Sequence, residues 1–224
     1  RSTYMSRVAI FCLCLALALG TACSRAFPDD ELAVLSTLML ANPAALGTES
    51  SANAKRKVFL TAAQPSGNLG GVAGADVLCN TDGNRPDSAT YKAMIVDDTS
   101  RRACVNASCT PTAPGDGLDW VFAANTSYYR ADGVTEVLRT DANRIAGCPL
   151  LANGFISGAA NEYWTGLETD WTVATAGPDL DCTDWTGAGS AQAGIGGAAT
   201  TDAISFGTPA CFLAGTYHLL CVEQ

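Results

Sequence analysis

Apolar and polar side chains alternate most clearly at Tyr91-Lys92-Ala93-Met94-Ile95-Val96. Tyr91, Ala93 and Ile95 fall on one side and Lys92, Met94 and Val96 on the other, which predicts a strand. Lys57 to Thr61 has the same β-rich character, and Trp120 to Phe122 and Tyr163 to Leu167 are further short strand candidates. Ala210 to Leu213 and Tyr217 to Glu223, joined at Ala214-Gly215-Thr216, predict a terminal hairpin. Helical spacing runs from Gly70 to Asn80, with Val72, Asp76 and Cys79 near one face and Ala75, Leu78 and Cys79 near another. Gly70, Gly71 and Gly74 make this a weak helix by propensity, so packing or a covalent tie through Cys79 must hold it.

Turn signals at Pro111, Pro114, Asp132-Gly133 and Pro149, and the Gly/Ala/Ser/Thr-rich run from Thr186 to Thr201, interrupt these elements. The pattern predicts one loop-rich α+β or mostly β domain over residues 55–224. Upstream, acidic Asp29, Asp30 and Glu31 precede Leu32, Leu35, Leu38 and Met39, which predicts a short helix ending near Pro43. Residues 44–54 are small and polar and read as a spacer.

Composition narrows the function classes. With 48% hydrophobic and 16% charged residues, the chain is a packing sequence rather than a disordered one. Its 22 acids against 13 Lys and Arg, a net charge of −9, argue against a nucleic-acid partner, because phosphate binding needs clustered cations. Arg7 followed by the uncharged run Val8 to Ala22 has the layout of a secretory signal peptide, with Met5 as initiator and residues 1–22 removed. The run is shorter than a bilayer span. Leu19-Gly20-Thr21-Ala22-Cys23 resembles a bacterial lipobox, which implies a lipidated Cys23 on a tether over residues 23–54. Removing residues 1–22 takes away Arg1 and Arg7 and no acid, so the mature chain is more acidic still and membrane association depends on the anchor.

Ten cysteines point to an oxidising compartment. Cys12 and Cys14 leave with the leader and Cys23 is the lipid acceptor, so the domain holds an odd number. No C-x-x-C occurs and His218 is the single histidine, a poor zinc set, so disulfides are the expected use, with their pairing left open. Cys104 and Cys109 are close enough for a local bridge that leaves Cys148 unpaired, and Cys148 with either of them is the competing arrangement.

Gly74 to Cys79 followed by Tyr91 to Ile95 is similar to the start of the endostatin-type domain of the C-type-lectin-like fold. Trp164 to Leu167, Cys182 to Trp185, Cys211 and the ending Leu219 to Gln224 resemble its second half, in the order seen in an uncharacterised domain of leptospiral surface lipoproteins. The resemblance covers residues 55–224. It implies mainly antiparallel strands, one or two short helices, and nested bridges pairing Cys79 with Cys221 and Cys182 with Cys211.

Candidate chemistry is sparse. Any Ser-His or Cys-His arrangement must use His218, which reads as a sheet-face histidine, and no nucleophile elbow, Walker loop, dinucleotide fingerprint or HExxH is present. No catalytic residue is assigned. Asp97-Asp98 and Glu168 with Asp170 read as solvated loop acids, and only burial would make such pairs catalytic. Asp179, Asp181 and Asp184 form the densest acidic cluster, the weak calcium candidate, and equally serve solubility. Neither the Glu-Pro-Asn or Gln-Pro-Asp loop nor the Trp-Asn-Asp strand of calcium-dependent sugar-binding lectins occurs, which argues against that activity. Trp164 and Trp185 are expected in the core. Trp120, Trp171, Tyr128 and Tyr129 are candidate anchors if exposed near the Thr186 to Thr201 loop.

The expectation is a lipid-anchored protein of a bacterial outer membrane, cell surface or periplasm, carrying a non-enzymatic adhesion module. Its ligand would be a host or envelope protein or a glycan. A carboxylate-based hydrolase and a structural envelope protein are the alternatives.

Overall fold

The last strand, Tyr217–Glu223, is hydrophobic on both sides because it has neighbours on both edges and a core on both faces. We label the elements of the computed structural model in chain order: β1 Lys55–Leu60, α1 Gly71–Thr81, β2 Tyr91–Ala93, β3 Ser127–Arg130 and β4 Glu136–Arg139. They continue with β5 Glu162–Trp164, α2 Cys182–Trp185, β6 Ala193–Ile195 and β7 Tyr217–Glu223. The structure describes residues 55–64, 66–97, 99–146, 151–157, 161–174, 180–187, 189–212 and 217–224. The expected leader, Cys23, the tether with its helix, Asp98, Cys148 and Asp179 lie outside the described residues.

Among the described residues the fold is mixed α and β, seven strands in one curled sheet with two helices. One edge of β7 pairs antiparallel with β1; the other is shared, its first half running parallel to β5 and its second half antiparallel to β2. Beyond β1 lie parallel β3 and then antiparallel β4, and beyond β5 lies antiparallel β6. The strand period of two then sorts side chains into two cores. Val58, Leu60, Leu220 and Val222 join the loop aromatics Trp120, Phe122 and Trp171 on one face. Phe59, Ala93, Leu219 and Cys221 meet Val72, Ala75 and Cys79 of α1 on the other.

The alternation from Tyr91 to Val96 outlasts its strand. Tyr91, Ala93 and Ile95 enter the helix-side core and Met94 and Val96 the loop-side core, although β2 ends at Ala93. The edge of β2 facing α1 is closed by side chains rather than by a strand. The Asn80 amide accepts from Tyr91 N–H at 2.9 Å and donates to its carbonyl at 2.6 Å, and Asp76 accepts from Ala93 N–H at 2.9 Å. An edge so occupied is no template for another chain. α1 itself begins at Gly70 with φ 78° and no side-chain cap, so tertiary packing and the Cys79–Cys221 bridge hold it, as its three glycines require.

Two expected strands are not there. Trp120 to Phe122 is a bend, because its rings fill the loop-side core while Trp120 N–H turns back to Gly117 and its indole N–H donates to Arg144 O at 2.9 Å. Among the described residues the first arm of the terminal hairpin is not on β7: Ala210 bridges Ser190, both edges of β7 are taken by β1, β5 and β2, and Leu213 to Thr216 lie outside the described residues. At Tyr163 to Leu167 the strand stops at Trp164, since Gly166 has φ +69° and a Cβ there would lie 2.7 Å from Val96 O.

α2 is a left-handed turn: Cys182, Thr183, Asp184 and Trp185 have φ of 56, 56, 53 and 59° without a glycine among them. Such residues cost roughly 1–2 kcal/mol each. The turn is fixed by the Cys182–Cys211 bridge, by the buried Trp185 indole donating to Val96 O at 2.9 Å, and by Leu69 N–H on Trp185 O at 2.8 Å. Gly67 closes over that bridge, where an added Cβ would stand 2.2 Å from Cys182 Sγ. Gly67→Ala is therefore expected to lower stability by about 1–3 kcal/mol, read as a fall in the urea midpoint. An unchanged midpoint would show that the loop yields freely.

Candidate functional site

β1 runs on past the end of β3, so its β3-side edge at Phe59 and Leu60 has no strand neighbour among the described residues. The register sets Arg130 beside Val58, and β7, running antiparallel, carries His218 towards the far end of β1, where Thr61 N–H meets Leu219 O. Phe155, Ile156 and Ser157 form a wall, and the result is a groove of about 440 Å³. That volume lies within the range of small-molecule sites, roughly 300–1,000 Å³. The floor is the stretch from Val58 in β1 to Ala62, mostly buried and with Thr61 in it, and the rim carries Asn84, Arg130, Asp132, Ser157, Asn161 and His218.

The polar rim groups are differently committed. Arg130 donates from Nε and Nη2 to Gly154 O at 2.9 and 2.8 Å, which fixes the plane of the guanidinium and leaves Nη1 without a partner among the described residues. His218 Nδ1 lies 2.7 Å from Thr61 O. A carbonyl has no proton, so Nδ1 carries it and Nε2 is the acceptor of the neutral ring. Asp132 is occupied by its own turn, accepting from Val134 N–H, Thr135 N–H and the Thr135 hydroxyl at 2.8, 2.9 and 2.8 Å. Those bonds, backbone first, hold its carboxyl below the usual carboxylate range, with Arg130 a smaller contributor.

A second polar cluster lies away from the groove. Arg101, fully buried, forks onto Asp76 through Nη1 and Nη2 at 2.8 and 2.7 Å, reaches Asp119 Oδ2 at 2.6 Å, and donates to Ala93 O at 2.8 Å. Lys92 pairs with the other oxygen of Asp119. Burial raises the Asp119 carboxyl, but hydrogen bonds from Lys92 and Arg101 and their charges outweigh it and hold the group below its ordinary value. A depressed carboxylate adds stability that is fully present above its unfolded pKa and is lost as pH falls through its folded one. The urea midpoint is therefore expected to drop between neutral pH and about pH 3, and to drop less in Asp119→Asn. Equal drops would detach Asp119 from the acid response.

The other sequence candidates have structural employment. Asp97 is not solvated: it is buried, and it accepts from the N–H groups of Thr99 and Arg101 at 3.1 and 2.8 Å, because its loop has no strand to satisfy them. Asp170 accepts from Thr172 N–H and hydroxyl at 3.1 and 2.6 Å, and Glu168 N–H donates to Thr172 O at 2.9 Å. Asp181 is buried and accepts from Asp184 N–H at 3.0 Å within α2. Among the described residues no group of three or more His, Cys, Asp or Glu is arranged to hold a metal ion. Trp120, Trp171 and Tyr128 are buried together in edge-on ring contacts, so they are not surface anchors, and Tyr129 is half-buried under the Lys55 ammonium. Trp164 and Trp185 lie in the helix-side core. The Thr186 to Thr201 stretch contributes β6 to the sheet, and none of its described residues lines the groove.

The structure joins Cys79 to Cys221, Cys104 to Cys109 and Cys182 to Cys211, with Cα separations of 5.7, 4.7 and 5.7 Å. Arg130 as a rim cation was not visible along the chain, since its partner Gly154 lies 24 positions away. Residues 62–202 match the family described as "Protein of unknown function (DUF1554)". No curated protein matches the chain.

Proposed function

The chain belongs to the DUF1554 family, and from that premise we propose that it is an exported, lipid-anchored surface protein whose domain is a non-enzymatic binding module. The observation that carries the reading is the groove, a ligand-sized concavity along β1 with a polar rim that includes a fixed guanidinium, set on a sheet clamped by disulfides. The bridges fit an oxidising compartment, and the leader-like Val8 to Ala22 followed by Cys23 supplies a route there and an anchor. A C-type-lectin-like assignment of the fold, of the spirochaetal lipoprotein kind, is supported by three features. β1 pairs with the last strand, an outer bridge ties α1 to β7, and an inner bridge frames the loop region.

A hydrolase of the two-carboxylate type is less well supported. Asp132 is the one acid among the groove's described residues and is held low by its turn, whereas such chemistry uses two acids with separated pKa values. Binding therefore remains the better reading of the site. The anchoring half is tested by expressing the full chain in a Gram-negative host with and without globomycin and partitioning the envelope in Triton X-114. The untreated protein is expected in the detergent phase, and Cys23→Ser in the aqueous phase. Aqueous partitioning of the untreated protein would defeat the anchor.

A further inference from the structure

Beyond β6 the sheet carries one more extended ribbon. Residues 207–210 run antiparallel along residues 190–193, with bridges from Gly207 to Ala193 and from Ala210 to Ser190. Ala193 N–H donates to Gly207 O at 2.9 Å, Ala191 N–H to Pro209 O at 3.1 Å, and Cys211 N–H to Gly189 O at 2.9 Å. Gly207, Pro209 and Cys211 thus turn their bonding groups inward, and the alternation of an antiparallel ladder turns those of Thr208 and Ala210 outward. Neither residue's N–H or carbonyl has a partner among the described residues. A proline commonly blunts such an edge by withholding a donor. Pro209 belongs to the inward set, so the outer edge keeps its donors.

The ribbon also lacks charge. The chain carries −9, yet no Asp, Glu, Lys or Arg occurs from Ala203 to Tyr217. Phe206 and Phe212 are 52% and 73% exposed at the two ends of the ribbon, and a Cβ added to Gly207 would meet nothing within 4 Å. An open, apolar edge with free backbone groups is a template for another strand.

We propose that this edge pairs with the same edge of a second copy of the chain. Turned about a two-fold axis at Pro209, the ribbon is its own complement: Thr208 exchanges N–H to carbonyl bonds with Ala210 of the second copy and Ala210 with its Thr208, while Phe206 comes opposite the other copy's Phe212. Charge favours this place of contact, since two chains of like net charge approach best where neither carries any. The four exposed rings bring roughly 500 Å² to the interface, against about 1,200 Å² for a stable complex, so the pair is weak and reversible. The inference is independent of the groove.

The test is disulfide trapping in the full chain. In the proposed register the two copies of position 209 form a non-hydrogen-bonded pair with Cα atoms about 4.5 Å apart, within the roughly 4.4–6.8 Å that a disulfide accepts. Purified Pro209→Cys, oxidised with copper phenanthroline, is expected to yield a peptide linked 209 to 209, which only two copies can form. Val134→Cys, at a position 80% exposed on the β3–β4 turn, is the control for association through any other part of the chain. It is expected to link at least about tenfold more slowly, and Phe206→Asp with Phe212→Asp should slow the 209 link by about as much. Thermal melts establish that each variant is folded. Position 209 linking no faster than position 134 would overturn the proposal. So would a 209 adduct with a different protein, and no 209–209 peptide, when the oxidation is repeated in the envelope of expressing cells.

Discussion

Replacing Cys79 and Cys221 together by alanine is expected to remove about 4–5 kcal/mol of stability, the largest effect of any change considered. The bridge spans 142 positions and closes nearly the whole domain. In the loop-entropy account a loop of that length constrains the unfolded chain by about 5 kcal/mol, with real bridges often giving less. The folded side adds to the loss. α1 starts on glycines without a side-chain cap, its axis is carried by Val72, Ala75 and Cys79, and both sulfurs are fully buried between it and β7. Since domains of this kind are stable by roughly 5–15 kcal/mol, the double variant stands near the threshold of folding. Denaturant unfolding of the wild type in the presence and absence of a strong reductant reads the three bridges together and is expected to show a loss at least as large. The Cys182–Cys211 bridge, spanning 29 positions, is expected to contribute less, about 3.6 kcal/mol at most in the same account. A reductant-independent midpoint would overturn both figures.

Arg101→Ala is expected to cost about 3–5 kcal/mol, the range for removing one partner of a buried ion pair. Arg101 is fully buried and its guanidinium donates to Asp76, Asp119 and the Ala93 carbonyl, so it joins α1, β2 and the loop before Trp120 at one point. Truncation orphans the Ala93 carbonyl, leaves a cavity and sets two carboxylates facing each other. Both carboxylates retain solvent access, 22% and 39% of their side-chain surface, which places the expected cost toward the lower end of the range. Arg101→Lys should recover little, because an ammonium cannot reproduce the planar fork onto Asp76 together with the bonds to Asp119. Double-mutant cycles with Asp119→Asn should give a coupling near 1–3 kcal/mol. Near-additivity of the two changes would mean that the cluster is not acting as one unit.

What could be read along the chain follows the range over which each signal acts. The alternation at Tyr91 to Val96 is local and survives as a division between two cores, even where the strand gives way to irregular backbone. The weak helix at Gly71–Thr81 was legible with its need for a covalent tie. Trp120 to Phe122 misleads because three large apolar residues in a row satisfy the strand pattern equally well when they fill a core from a bend. The hairpin at the C-terminus misleads because local turn signals say nothing about which distant strands compete for β7. Arg101 gave no signal at all: a charged residue in a polar loop is buried only because Asp76 and Asp119, 25 and 18 positions away, converge on it. The same holds for the groove, whose parts come from β1, β3, β7 and the wall at Phe155. The left-handed α2 lacks the glycine that would have announced it.

We propose a disulfide-framed module carried on a lipid anchor outside the cytoplasm. Non-reducing peptide mapping by mass spectrometry, on the full chain purified from the envelope of an expressing Gram-negative bacterium, tests it most directly. The predicted map has Cys79 linked to Cys221, Cys104 to Cys109 and Cys182 to Cys211, and an N-terminal peptide that begins at an acylated Cys23. Free thiols at those six positions, or an unacylated Cys23 still preceded by residues 8–22, would contradict it.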